Sequence, residues 1–310
     1  MNKLICIAGP TASGKTALAV ELAKSFNGEV VSCDSMQVYK RMDIGTAKPT
    51  ADEMQGIPHH MIDVCEPDED FSVSKYCEMA TPIIDDILAR GKTAIIAGGT
   101  GLYMDSLIRG NDFAPFPATG HRQRLEEKLE DVGLESLIAE LSAIDPEAAA
   151  RSQRNPRRII RALEVFYETG ETITAHNLRT QAIPPRYSPL WLGLDFEPRQ
   201  LLYDRIDLRV GLMLEQGLEK EIRDILSSGI PKSCTAMQAI GYKEFVDALD
   251  GRCTMEEAAD QVRQSSRRYA KRQLTWFKRN KEMNWLTRRE GEGAEEILAE
   301  ARQLILKTDN

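Results

Sequence analysis

The chain has 310 residues, of which 42% are hydrophobic and 28% charged, and a net charge of −8. That is the profile of a soluble globular protein with one large or two modest domains. No run of about 18 apolar residues occurs, so no helical membrane span is expected.

In chain order, the first element is an apolar strand pattern, Leu4–Ala8. It starts at the N-terminus and leaves no room for a signal peptide. Gly9-Pro10-Thr11-Ala12-Ser13-Gly14-Lys15-Thr16 follows and reads as a complete G-x-x-x-x-G-K-[ST] loop. A helical pattern then runs over residues 17–24. Further strand patterns are Glu29–Cys33, His60–Val64, Thr93–Ala97 and Leu190–Leu194, most of them separated by helical patterns. Short continuous apolar strands alternating with helices predict a parallel sheet covered on both faces. With the loop after the first strand, the expected fold class is α/β, a P-loop NTPase-like three-layer core.

The alternation breaks after Gly110. Residues 112–120 form a Pro-rich connection. Helical periodicity then covers Arg122–Val132, Leu134–Ala143, Pro146–Ser152 and Pro156–Thr169. Residues 112–187 are therefore expected to form an all-helical insertion, with 1–111 and 188–310 as the core. From Pro198 onward the pattern is again helical.

The six cysteines (Cys6, Cys33, Cys65, Cys77, Cys234, Cys253) show no C-x-x-C pair and no zinc spacing. Cys6 and Cys33 fall in strand patterns and read as buried thiols, which suits a reducing cytoplasm.

Backbone N–H groups at a helix N-terminus favour an anion, so residues 9–16 predict a polyphosphate site. Lys15 can reach the outer phosphates, and the Thr16 hydroxyl can ligate Mg²⁺. Ligands of open parallel sheets collect at the carboxyl ends of strands. The second strand ends there in Asp34-Ser35-Met36-Gln37. A carboxylate is ionised at neutral pH and can accept a proton, although an Asp at that place can also simply cap a turn. The fourth strand ends in Gly98-Gly99-Thr100-Gly101, which fits either close backbone approach to a ligand or a tight turn. His59 and His60 are adjacent in a strand pattern and so point to opposite faces, which disfavours a shared metal.

Charge is unevenly spread. Residues 263–289 hold ten Lys/Arg and one acid, and residues 151–161 hold five Arg and no acid, together +14 against the net −8. Such concentrations suit a polyanion, and equally a solvated helix face. In the last stretch Tyr269, Trp276 and Phe277 interleave with the cations, a pattern that fits unstacked bases or a helical core face.

Two readings compete: a P-loop small-molecule kinase, and a transferase that uses the loop for a diphosphate leaving group and acts on RNA. The fourth strand ends in Gly98-Gly99 where a kinase would carry an Asp, and a metabolite kinase has no use for +14 in two segments.

The blocks GPTASGKT, DSMQVYK, GTAKP, HHMID, GGTGLY, RNPRRIIRALEV, QAIGYKE and YAKRQLTWF, in this order, resemble the tRNA dimethylallyltransferases (tRNA isopentenyltransferases). The resemblance runs from residue 3 to about residue 280. No Cys/His zinc finger follows, as in the bacterial form. The resemblance implies transfer of a dimethylallyl group from dimethylallyl diphosphate to N6 of the adenine immediately 3′ of the tRNA anticodon, with release of pyrophosphate and a requirement for Mg²⁺.

The resemblance implies Asp34 and Thr100 as catalytic residues, Gly9 to Thr16 as the donor site, and Thr16 as metal ligand. It implies tRNA contacts at Asp34, Ser35, Met36, Gln37, Thr100 and Arg122. Further contacts are implied in residues 157–161 (Arg157, Arg158, Ile159, Ile160, Arg161) and 238–243 (Gln238, Ala239, Ile240, Gly241, Tyr242, Lys243). The last segment is 271–278 (Lys271, Arg272, Gln273, Leu274, Thr275, Trp276, Phe277, Lys278). Arg157 stands where many members carry Gln. A cytoplasmic monomer with no membrane partner is expected.

Overall fold

The computed structural model describes residues 4–110 and 119–308. It divides into two compact units, Met1–Ile108 with Arg186–Asn310, and Arg109–Pro185. The Pro-rich connection lies, over residues 111–118, outside the described residues.

The first unit is built on a six-stranded, all-parallel sheet in the order β3-β2-β4-β1-β5-β6. The strands are β1 (Leu4–Ala8), β2 (Gly28–Cys33), β3 (His59–His60), β4 (Thr93–Gly98), β5 (Leu190–Glu197) and β6 (Asn284–Arg289). The central strands read as unbroken apolar runs because both of their faces are buried. Helices α1 (Lys15–Ser25), α2 (Ala51–Met54), α3 (Val73–Ala89) and α4 (Gly101–Arg109) follow β1 to β4.

The second unit contains α5 (His121–Val132), α6 (Leu134–Ile144), α7 (Pro146–Arg151), α8 (Pro156–Thr169) and α9 (Ile173–Gln181). Leu125, Leu137, Leu141, Ile159, Ile160 and Leu163 form its core. Local chemistry sets its helix starts. Asp145 accepts the Ala148 N–H at 3.0 Å and Asn155 accepts the Arg158 N–H at 3.3 Å, each just before a proline at the first helical position.

The chain then returns to the first unit as α10 (Gln200–Glu215), α11 (Leu218–Ser227), α12 (Tyr242–Leu249), α13 (Met255–Phe277) and α14 (Ala294–Lys307). Ile5, Ile7, Leu192 and Leu194 pack on α1 and α14. Cys6, Ala8, Val31, Cys33 and Ile96 face the opposite layer, with residues of α3, α4 and α11 to α13. The result is three layers, helix–sheet–helix. Cys6 and Cys33 are fully buried. Among the described residues no helix is long and apolar enough to cross a membrane.

Two strand expectations change. The pattern His60–Val64 yields only His59–His60 as strand. Met61 and Asp63 take φ values of 63° and 56°, and the N–H groups of Asp63, Val64 and Cys65 turn to the carbonyls of Gln37 and Val38. An extended apolar run thus serves a loop. β6 lies in a region read as helical. It pairs on one side only, with β5, and buries only Leu286 fully, so it has no continuous apolar signature.

Candidate active site

The phosphate loop joins β1 to α1. Ala12 and Gly14 adopt left-handed φ values of 62° and 92°. A Cβ at Gly9 would lie 3.1 Å from Leu194 Cβ and 3.0 Å from Ser13 Oγ, so a larger residue there would crowd the turn. The loop is braced by side chains distant in sequence. The Thr11 N–H donates to Gln273 Oε1 at 2.9 Å, and Arg205 Nε donates to the Ala12 carbonyl at 2.9 Å. Lys15 Nζ donates to the Pro10 carbonyl at 2.7 Å. Burial, reinforced by Arg209, pushes the Lys15 amine down to about 8, with Asp34 opposing.

The acceptor side begins where β2 ends. Asp34 Oδ1 accepts the N–H groups of Met36 at 2.9 Å and Gln37 at 3.4 Å. No described residue hydrogen-bonds its other oxygen. Asp34 is half-buried, and one of its oxygens caps the turn while the other is left for the cavity. Thr100 Oγ1 accepts the Ser35 N–H at 3.1 Å and tethers the end of β4 to the end of β2. The Tyr269 phenol also lies at Thr100. Burial and the charge of Asp34 push it up to about 12.

Asp34, Thr11, Thr46, Arg209, Tyr269 and Arg272 line a single cavity of about 370 Å³. Sequence reasoning missed Arg205 and Arg209 as members of this site. They stand four residues apart on α10, and one turns to the loop and the other to the cavity. Their i, i+4 spacing inside an otherwise apolar-periodic helix was the available signal. Burial and the charge of Arg205 hold the Arg209 guanidinium below its ordinary value.

The family model described as IPP transferase matches residues 37–280. The chain belongs to the IPP transferase family. It is 49% identical over 286 residues to a tRNA dimethylallyltransferase of Thermoanaerobacter sp. (strain X514), covering 91% of each chain. It is 47% identical over 312 residues to that of Bacillus cytotoxicus, covering 100% of this chain and 98% of the other. A solved tRNA isopentenylpyrophosphate transferase from Bacillus halodurans superposes with a TM-score of 0.73 at 44% identity, covering 100% and 99% of the two chains. A eukaryotic dimethylallyltransferase acting on tRNA gives 0.82 at 29% identity, over 98% of this chain and 79% of the other.

In this IPP transferase the segments expected to contact tRNA present only part of their side chains. Along 271–278, Lys271, Arg272, Thr275 and Lys278 are exposed, whereas Gln273, Leu274 and Phe277 are buried. Trp276 is half-buried, and its Nε1 donates to Asp105 Oδ2 at 2.8 Å. Gln273, Leu274 and Phe277 thus turn their side chains inward, beneath the exposed cations. The reason is the helical period, which turns every third or fourth side chain inward. The cations use the rings as rests: Arg272 lies 5.5 Å from the Tyr269 ring centroid and Arg279 5.4 Å from that of Trp276.

In the helical unit, Arg157, Arg158 and Arg161 are exposed on α8, whereas Ile159 and Ile160 belong to the core. Arg122 pairs with Glu126 at 3.0 Å. In 238–243, Gln238 and Lys243 are exposed and Tyr242 is buried. Among the described residues no three His, Cys, Asp or Glu side chains are grouped to hold a metal. His59 Nδ1 is engaged by the Ile57 carbonyl and His60 Nε2 by Glu29, each at its own partner.

Proposed function

We propose that the protein transfers a dimethylallyl group from dimethylallyl diphosphate to N6 of the adenine immediately 3′ of the tRNA anticodon, with release of pyrophosphate. The observation that carries this reading is that Thr11 of the phosphate loop and Asp34 line one cavity, together with Arg209 and Arg272. The relatives are named as dimethylallyltransferases of tRNA, which supports the reading.

In this reading the diphosphate sits on the loop N–H groups, Lys15 and Arg209. The adenine leaves its stack to enter the cavity. N6 attacks C1 of the dimethylallyl group, the N–C bond forms, and the C1–O bond breaks with its electron pair going to the diphosphate. Asp34 takes the N6 proton through the oxygen that no described residue binds. Lys15 and Arg209 meet the charge that grows on the leaving oxygen. Thr100 holds the Ser35 backbone, and so the turn that carries Asp34.

The donor set fits Mg²⁺ in the form that ion prefers, with few protein ligands and the balance from phosphate and water. Thr16 offers a hydroxyl in the first turn of α1, and among the described residues no cluster of three His, Cys, Asp or Glu competes for the ion. Mg²⁺ held there would neutralise diphosphate charge. Exposed Lys271, Arg272, Lys278, Arg157, Arg158 and Arg161 would bind RNA phosphates.

The test is incubation with labelled dimethylallyl diphosphate and total tRNA, with and without ATP. Label in tRNA without ATP supports the reading. A requirement for ATP, or label in a small metabolite, restores the small-molecule kinase.

A further inference from the structure

Glu221, on α11, belongs to none of the motifs. Its carboxylate accepts three consecutive backbone N–H groups, those of Asp43 at 2.9 Å, Ile44 at 2.7 Å and Gly45 at 3.1 Å. It also accepts the Tyr242 hydroxyl at 2.6 Å. Consecutive amides converging on one anion form a nest, and charge-assisted bonds of this kind are stronger than neutral ones.

The nest is adjacent to the site. Gly45, Thr46 and Ala47 line the same cavity as Asp34. The carbonyls of Thr46 and Ala47 accept the side-chain amide of Gln37 at 3.3 and 3.1 Å. The Gln37 side-chain oxygen accepts Ser32 Oγ at 2.9 Å, and its backbone N–H reaches Asp34 Oδ1. An unbroken chain of contacts therefore runs from Glu221 through residues 45–47 to Gln37 and Asp34. The Tyr242 ring fills the space a Cβ at position 45 would need, with Cε2 2.4 Å away. Burial and the charge of Glu221 hold the phenol well above its ordinary range, so it stays a donor to the carboxylate.

We infer that Glu221 is a positioning residue for the prenyl acceptor, anchoring the 45–47 wall of the cavity so that Gln37 and Asp34 meet the adenine in register. The inference rests on the transfer reaction proposed above. Small misplacements of reacting groups cost far more in rate than in affinity.

The experiment compares the unchanged protein, Glu221→Gln and Glu219→Gln in single-turnover transfer at saturating tRNA and donor, with Kd for each substrate and the fraction of active molecules from the reaction amplitude. Glu219 lies on the same helix and pairs with Arg223 at 2.7 Å. Glu221→Gln keeps the side-chain length and one carbonyl oxygen but sets an amide against N–H donors. Its rate constant should fall about 10–100-fold, with both Kd values within about two-fold. Glu219→Gln should match the unchanged protein. A fall in amplitude with an unchanged rate constant would show that Glu221 only holds the fold, and would overturn the inference. So would a loss carried wholly by tRNA Kd. If the unchanged protein moves no prenyl group, the transfer reading falls with this one. If it does and Glu221→Gln keeps pace, only this one falls.

Discussion

Gln273 accepts the backbone N–H of Thr11 at 2.9 Å, across 262 residues of sequence. Its Nε2 donates to the Gly99 carbonyl at 2.9 Å, so one buried amide on α13 ties the phosphate loop to the turn that carries Thr100. A Cβ at Gly99 would lie 2.1 Å from that nitrogen, which accounts for the glycine. Gln273→Ala leaves both backbone groups without a partner and should destabilise the protein by about 1–3 kcal/mol. Gln273→Glu keeps the acceptor for Thr11 but sets a carboxylate against the Gly99 carbonyl, and should also lose stability. Urea unfolding of the three proteins checks this. A wild-type midpoint for Gln273→Ala would remove the brace.

Asp34→Asn keeps the shape and the turn-capping bonds while removing the proton acceptor. Single-turnover transfer should fall by about 10²–10⁴-fold with little change in tRNA affinity or melting temperature. Wild-type transfer at saturating substrates would take Asp34 out of the catalytic role.

Lys15→Ala and Arg209→Ala should each weaken donor binding by about 1.5–3 kcal/mol, since each removes a charge-assisted contact from a partly buried site. Binding of tRNA through the exposed cations should persist in both. Calorimetric titration with dimethylallyl diphosphate measures the loss. Normal donor affinity in folded Arg209→Ala would leave that buried cation without the assigned role.

The lowered Lys15 amine sets a pH dependence with a definite sign. In the free protein it loses its proton near pH 8, so donor affinity should decline as pH rises through that value. The unfolded chain keeps the proton to about pH 10.4. Between these values the unfolded state binds more protons, so this residue makes stability rise with pH while donor affinity falls. Donor Kd and melting temperature from pH 7 to 10 should therefore both rise, affinity falling as stability grows, and Lys15→Met should abolish both trends.

Arg272→Ala and Arg158→Ala should each weaken tRNA binding and lower the slope of log K against log salt by about 1, leaving donor affinity intact. Unchanged slopes in both would assign these arginines to a solvated face.

The phosphate loop, the alternation of strand and helix and the two basic stretches could all be read before any coordinates. Each is encoded locally, in a contiguous string, a hydrophobic period or a count of charges. The parallel order also follows, because short apolar strands separated by helices have few other ways to bury both faces. The rest depended on which face of an element meets which distant partner. Arg209 reaches the cavity from a helix that sequence reasoning left without function. Gln273, Leu274 and Phe277, read as part of a contact segment, turn inward, while their neighbours Lys271 and Arg272 stay exposed. β6 escaped notice because an edge strand needs only half of its face apolar. Residues Met61 to Val64 look like a strand but bend back to Gln37 and Val38. Glu221 illustrates the general point: a glutamate among other helical glutamates has no local mark, and only the convergence of Asp43, Ile44, Gly45 and Tyr242 on its carboxylate sets it apart.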